Sequence, residues 1–385
     1  MNSETIAYKP DKLFTREVLE GLLRGTSGDC NTLAEKLNFE MAQAYSLFST
    51  IGNIQHIGLP TSRLGRFLSA DKIHKIGWCI VPSASADARI DRHTQARTEL
   101  SPVDRIYLIQ ISVGTILRIA SLCNEVAAVA IDHMLAAPLT SLEPPGLFLV
   151  TPSSAAGKQY AKVLTSMALI LLFGHEATHA IDGHSDYEIE NRNMPIKTMS
   201  QLERAADQGA GLFLMSRMLN LNSLTAYFGY AANEQLPDEV MKEQMIRDAI
   251  VASLILSTYL QPGTGSASEL YDPALIRFTS ILSGFKSYIN ANDLPIQDNF
   301  EIDPLYMDSE KNKGNIDFAH HVLQKTSAAE LVRRMFKEGV PAMKDPNRLR
   351  QNGTLYSKLN PLRPLGLRIF IEKYQKATRR RRNST

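Results

Sequence analysis

The stretch Val163-Leu164-Thr165-Ser166-Met167-Ala168-Leu169-Ile170-Leu171-Leu172-Phe173-Gly174-His175-Glu176-Ala177-Thr178-His179 decides how this chain is read. Only Thr165 and Ser166 interrupt the apolar run from Val163 to Phe173, so the segment predicts a helix buried in a core, spanning Ala161 to Asp182. Gly183 follows where that helix should stop. The run ends in His-Glu-x-x-His. Side chains four apart lie one turn apart on the same helix face, so His175 and His179 can point at one metal ion. Glu176 sits beside them, close enough to act on a water without being a ligand. A zinc ion lowers the pKa of such a water toward 7, and a carboxylate can then take its proton as general base.

A catalytic zinc needs three protein ligands and one open position. The reading assigns the third ligand to Glu203, in Glu203-Arg204-Ala205-Ala206-Asp207 on the next predicted helix, Gln201 to Asn220. Asp207 falls one turn after Glu203, where it can accept from the distal nitrogen of a metal-bound histidine and fix its tautomer. Ala205, Ala206, Gly209, Ala210 and Gly211 are small and let two helices approach closely. His184 and Glu190 are the rivals for the third position. Gly183 and His184 do not fall at the metzincin spacing, which leaves His184 as a residue that orients a ligand. Asp186 and Glu188 either orient a ligand too or are solvated. Tyr187, Tyr227, Tyr230 and Tyr259 stay open as donors to a developing oxyanion. His320 and His321 are adjacent and cannot share a helix face, and His56, His74, His93 and His133 have no partner spacing.

Working outward, apolar helical spacing predicts helices over Thr15–Arg24, Asn31–Ser49, Ser112–Ala136, Glu239–Leu260, Pro273–Ile289 and Ala328–Glu338. Asp272 before Pro273 reads as a cap followed by a favoured first-turn residue. Ser327 with Glu330 reads as a capping box, and Gly339 as a stop. Gly77–Val81 and Arg105–Ile111 are rich in β-branched and aromatic residues and predict strands, with room for a further short strand between Ser83 and Ser101.

Composition narrows the class of protein. Hydrophobic residues make up 44% and charged residues 21% of the 385, which argues for a packed core rather than disorder. A net charge of +2 gives no general pull toward nucleic acid or acidic lipid. The run Arg379 to Arg382 is a basic tail read as a solvated end. The chain opens without an apolar signal segment, and the run from Val163 to Phe173 falls well short of the ~20 residues that span a bilayer. Cys30, Cys79 and Cys123 are odd in number and far apart, as reduced thiols in a cytoplasm would be. The expectation is a cytoplasmic protein with no membrane or nucleic-acid partner.

With these residues in view, the pattern His-Glu-x-x-His, Gly183-His184-x-Asp186 and Glu203-x-x-Ala206-Asp207 resembles that of gluzincin peptidases, and in particular the Lit-type peptidases linked to phage exclusion in bacteria. The resemblance is specific around 170–215 and looser from 93 to 170. It implies zinc as cofactor, His175, His179 and Glu203 as ligands, and Glu176 as base. It also implies an edge strand before the active helix, placed at Gln95-Ala96-Arg97 and Arg105-Ile106-Tyr107-Leu108, that pairs with an extended substrate peptide. Asp272-Pro273-Ala274-Leu275-Ile276-Arg277 is similar to a His-Pro…Arg segment of related peptidases, with Asp in place of His.

The resulting expectation is an α+β, mostly α-helical protein with a zincin-like core and a small antiparallel sheet preceding the active-site helix. Residues 1–87 form an N-terminal region, 88–220 the catalytic core, 221–378 a C-terminal helical region and 379–385 the tail. The function expected is a zinc-dependent endopeptidase acting on an intracellular protein. The alternative is a metal-binding regulatory or interaction protein, against which the intact Glu176 argues.

Overall fold

The computed structural model describes residues 10–23, 30–51, 75–85, 88–93, 106–133, 151–182, 184–185, 196–220, 238–260, 273–291 and 319–343. These residues are mostly helical, with one small sheet. In chain order they form α1 (Pro10–Leu13), α2 (Arg16–Leu23), α3 (Cys30–Ile51), β1 (Lys75–Val81), β2 (Ala88–His93), β3 (Ile106–Ser112), α4 (Val113–Ala130), α5 (Ala155–Ile181), α6 (Ile196–Asn220), α7 (Asp238–Tyr259), α8 (Ala274–Ala291) and α9 (Ala329–Met343).

The expected antiparallel sheet is instead mixed, with strand order β1-β3-β2. β3 pairs parallel with β1, Trp78 opposite Ile109, and antiparallel with β2, Ile90 opposite Ile109. β3 therefore takes the middle, where Ile109 and Ile111 are buried, and Ile106–Leu108, expected at an edge that pairs with substrate, is paired on both sides instead. Its central place follows from what comes next. Ser112 ends the strand and also caps α4, its hydroxyl accepting from Thr115 N at 3.1 Å, so β3 runs directly into a core helix. The sheet crosses the expected boundary between residues 87 and 88, and one hydrophobic cluster draws on α2, α3 and every helix from α4 to α9.

Helix α5 starts six residues before its expected first turn (161 − 155). Asp132 is the reason. Its carboxylate accepts from Ser153 N at 2.6 Å and from both the amide and the hydroxyl of Ser154, and Ser154 caps the helix through Gly157 N at 2.9 Å. From Val163 to Ala180 every residue is buried. A helix apolar on all faces is a core element, and α3, α4, α6 and α7 pack against it. Phe173 stacks on Phe48 of α3 at 5.6 Å between centroids and meets Phe213 of α6 at 6.2 Å. α4 is long and apolar enough to cross a membrane by length and composition alone, but 78% of it is buried within the protein.

Two terminal signals read differently in the structure. Ser327 does not box with Glu330; its amide and hydroxyl both donate to the buried carboxylate of Glu125 on α4, at 2.8 and 2.9 Å. Gly339 does not stop α9, which continues to Met343; it lies against Leu275, where a Cβ would overlap the side chain. At α8 the cap position falls on Pro273, whose carbonyl accepts from Ile276 N at 2.8 Å, and Asp272 lies outside the described residues.

Small residues set how closely α5, α6 and α8 approach. A Cβ on Gly209 would overlap the Thr178 side chain of α5, and one on Gly174 would sit 2.9 Å from Phe213. On the other side of α6, Gly211 and Gly284 put backbone against backbone. A helical glycine facing open space typically gains about 1 kcal/mol on replacement by alanine. Gly209→Ala should instead lose about 1–3 kcal/mol, because the added methyl overpacks the α5–α6 contact. Chemical denaturation checks this, with Thr178→Ala expected to restore part of the loss. A stabilised Gly209→Ala would contradict the packing described.

Candidate metal centre

The close approach of α5 and α6 brings three expected ligands together. His175 and His179 present Nε2 atoms 3.2 Å apart, and Glu203 of α6 places Oε2 3.3 Å from His175 Nε2 and Oε1 3.5 Å from His179 Nε2. The three donors all lie within 4.8 Å of one another. Two ligand atoms bound ~2.0–2.1 Å from a tetrahedral ion stand about 3.3 Å from each other. The separation of the two imidazole nitrogens thus matches one edge of such a site, and each imidazole has a different Glu203 oxygen within 3.5 Å. Both histidines are buried, Glu203 only partly so, and Glu176 is 7% exposed on the same helix. These three side chains can hold a metal ion.

Each imidazole is backed by a partner on its other nitrogen. Nδ1 of His175 lies 2.9 Å from Asp207 Oδ1, the position the spacing of Glu203 and Asp207 predicts, although the ring is not aligned for a full hydrogen bond. Nδ1 of His179 lies 3.2 Å from Nδ1 of His184, a fully buried residue just past the end of α5. The rings of His179 and His184 meet edge-on, 5.0 Å between centroids.

Arg277 completes the cluster. From α8 its Nε donates to Asp207 Oδ2 at 3.0 Å and its Nη2 to Asp207 Oδ1 at 3.0 Å, while Nη2 also lies 3.4 Å from Glu203 Oε2 and 3.5 Å from His175 Nε2. Local spacing assigns Arg277 no role. The available signal was a single charge inside the apolar run Ala274 to Phe278, which a helix buries only when a partner awaits it.

The electrostatics follow from this geometry. Burial alone would raise the Glu203 and Asp207 carboxyls, but the histidines and Arg277 outweigh it and hold both below the usual carboxylate range. Burial likewise opposes a charge on His175, but Asp207 and Glu203 prevail and push its metal-free pKa up to about 10. For His179 burial wins, and its pKa falls to about 4. Without a metal, His175 thus carries the positive charge of a proton near neutral pH, and His179 stays neutral.

Other candidates fall elsewhere. Tyr259 donates to Thr115 of α4 at 3.3 Å. His320 packs on Phe336 of the same chain end at 4.5 Å and meets Gln324 at 3.0 Å. Asp186, Tyr187, Glu188, Glu190, Tyr227, Tyr230, His56 and His74 lie outside the described residues, as does the Gln95-Ala96-Arg97 segment. Among the described cysteines Cys79 and Cys123 are free thiols, and burial pushes the Cys123 thiol up to about 12. No family model, curated protein or solved structure matches the chain.

Arg277 is the counter-charge of a buried carboxylate, and removing one partner of such a pair typically costs about 3–5 kcal/mol. Arg277→Met should lower the stability of the metal-free protein by that order, with added zinc recovering part of it. Denaturant titrations with and without zinc check this. A loss below about 1 kcal/mol would mean that Asp207 is compensated by other groups.

Proposed function

We propose that this chain is a zinc-dependent endopeptidase with a zincin-like, gluzincin-type core, acting on a protein substrate. The observation that carries the reading is the meeting of His175, His179 and Glu203, one ligand atom from each within 4.8 Å of the others, with Glu176 on the same helix turn. Two imidazoles and one carboxylate are the donor set of a zinc site that keeps a position open for chemistry. The metal is zinc in this reading because that ligand combination suits it, and an oxygen-only site for calcium or magnesium is absent from the triad.

A zinc ion held by these side chains supplies Lewis acidity, polarising a peptide carbonyl and making water acidic near neutral pH. The chain's own residues do the rest. Glu176 accepts the proton of the attacking water and returns it to the leaving amine. Asp207, held by Arg277, keeps the His175 ring turned so that Nε2 faces Glu203 and His179. The substrate is a peptide in extended form, taken up at an edge of the small sheet: β2, an edge strand, lies against α5, and edge strands recruit peptides by main-chain hydrogen bonding. The Lit-type likeness and a cytoplasmic location belong to the same proposal.

The decisive variant is Glu176→Gln, which removes the base while leaving every proposed ligand. With zinc supplied, wild type should cleave members of a proteome-derived peptide library. Glu176→Gln should retain one zinc per chain and lose at least about 100-fold in rate, the lower range for a general base. Mass spectrometry of new termini reads both. Equal cleavage by the two proteins would remove Glu176 from the chemistry, and a zinc-loaded wild type that cuts nothing would favour a metal-binding protein without peptidase activity.

A further inference from the structure

The two metal-facing histidines are supported by unlike partners. His175 is backed by the carboxylate of Asp207 at 2.9 Å, whereas His179 is backed by the imidazole of His184 at 3.2 Å. A carboxylate partner comes with a charge that has to be neutralised, and Arg277 does so through two contacts at 3.0 Å. An imidazole partner brings no charge when neutral.

The tautomers follow by elimination. Nε2 of His179 faces His175 Nε2 and Glu203 Oε1, so its lone pair must lie there for the triad to take a cation. The ring proton is then on Nδ1 and donates to His184 Nδ1, which must be bare. His184 therefore carries its own proton on Nε2. The ring is fully buried, directly after the helix that carries His179, and so holds that acceptor in one place.

We propose that His184 is a positioning residue of the metal site: a neutral acceptor that fixes the tautomer and orientation of His179 without adding negative charge. This rests on the reading of His175, His179 and Glu203 as metal ligands. Charge balance explains why the acceptor is neutral. Glu176, Glu203 and Asp207 bring three negative charges and Arg277 one positive, leaving two, which a divalent cation cancels. A carboxylate at position 184 would leave one negative charge over in the loaded site.

Two variants separate acceptor from filler. His184→Asn places an amide oxygen near the position of Nδ1, and His184→Leu fills the space with no acceptor. Zinc affinity is measured by chelator competition, and the His179 tautomer by long-range proton–nitrogen correlation in the metal-free protein. His184→Asn should stay within about threefold of wild type and keep the proton on Nδ1, while His184→Leu should bind zinc about 10- to 100-fold more weakly and show mixed tautomers. The proposal is overturned if His184→Leu binds zinc like wild type, or if both variants lose affinity equally alongside equal losses in Tm, which is the mark of packing alone. Should wild type bind no zinc, the peptidase reading fails by itself. The tautomer then still decides the role of His184, because a proton on Nε2 of His179 in wild type would overturn it.

Discussion

Asp207 and Arg277 face each other with two contacts at 3.0 Å in the protein interior, and the candidate site is arranged around that pair. Asp207 comes from α6 and Arg277 from α8, so the pair joins two helices whose backbones already touch at Gly211 and Gly284. From this joint Asp207 reaches Nδ1 of His175 on α5, and Arg277 reaches Glu203. An ion pair taken from water costs desolvation energy and is retained when its hydrogen-bonding capacity is used in full. Here much of that capacity is spent on the groups that converge on the metal position. Helix packing and site geometry are thus one constraint, met by the same small residues and the same charges.

Much of the site was legible in the sequence because its key relations are local. His175 and His179 are one helical turn apart, as are Glu203 and Asp207, and such spacing fixes which side chains share a face before any tertiary contact is known. The small residues after Asp207 further marked α6 as a helix that packs tightly, and Gly209 against Thr178 is that packing. Arg277 escaped because it meets Asp207 across 70 residues of chain, a distance over which spacing carries no information. The sheet shows the same divide. β1 and β3 were visible as apolar, β-branched runs, but their parallel pairing with β3 in the centre depends on where α4 carries the chain after Ser112. Ser327 looked like a local cap, whereas its partner Glu125 lies 202 residues away.

The fold also explains why α5 can be so apolar. α5 carries polar ligands only in its last turns, and the preceding turns are anchored in the core by Phe173 and its aromatic neighbours. At the other end Asp132 ties the first turn to the end of α4. A helix tied down at its first turn and buried from Val163 to Ala180 holds His175 and His179 to one geometry, which a site with three ligands requires.

Elemental analysis of wild type and Glu203→Ala, each incubated with zinc and desalted, tests the central claim most directly. The account predicts one zinc per wild-type chain and little or none in the variant, because the histidine pair alone supplies two of the three ligands. A wild-type protein that retains no metal, or a variant that retains as much as wild type, would contradict it.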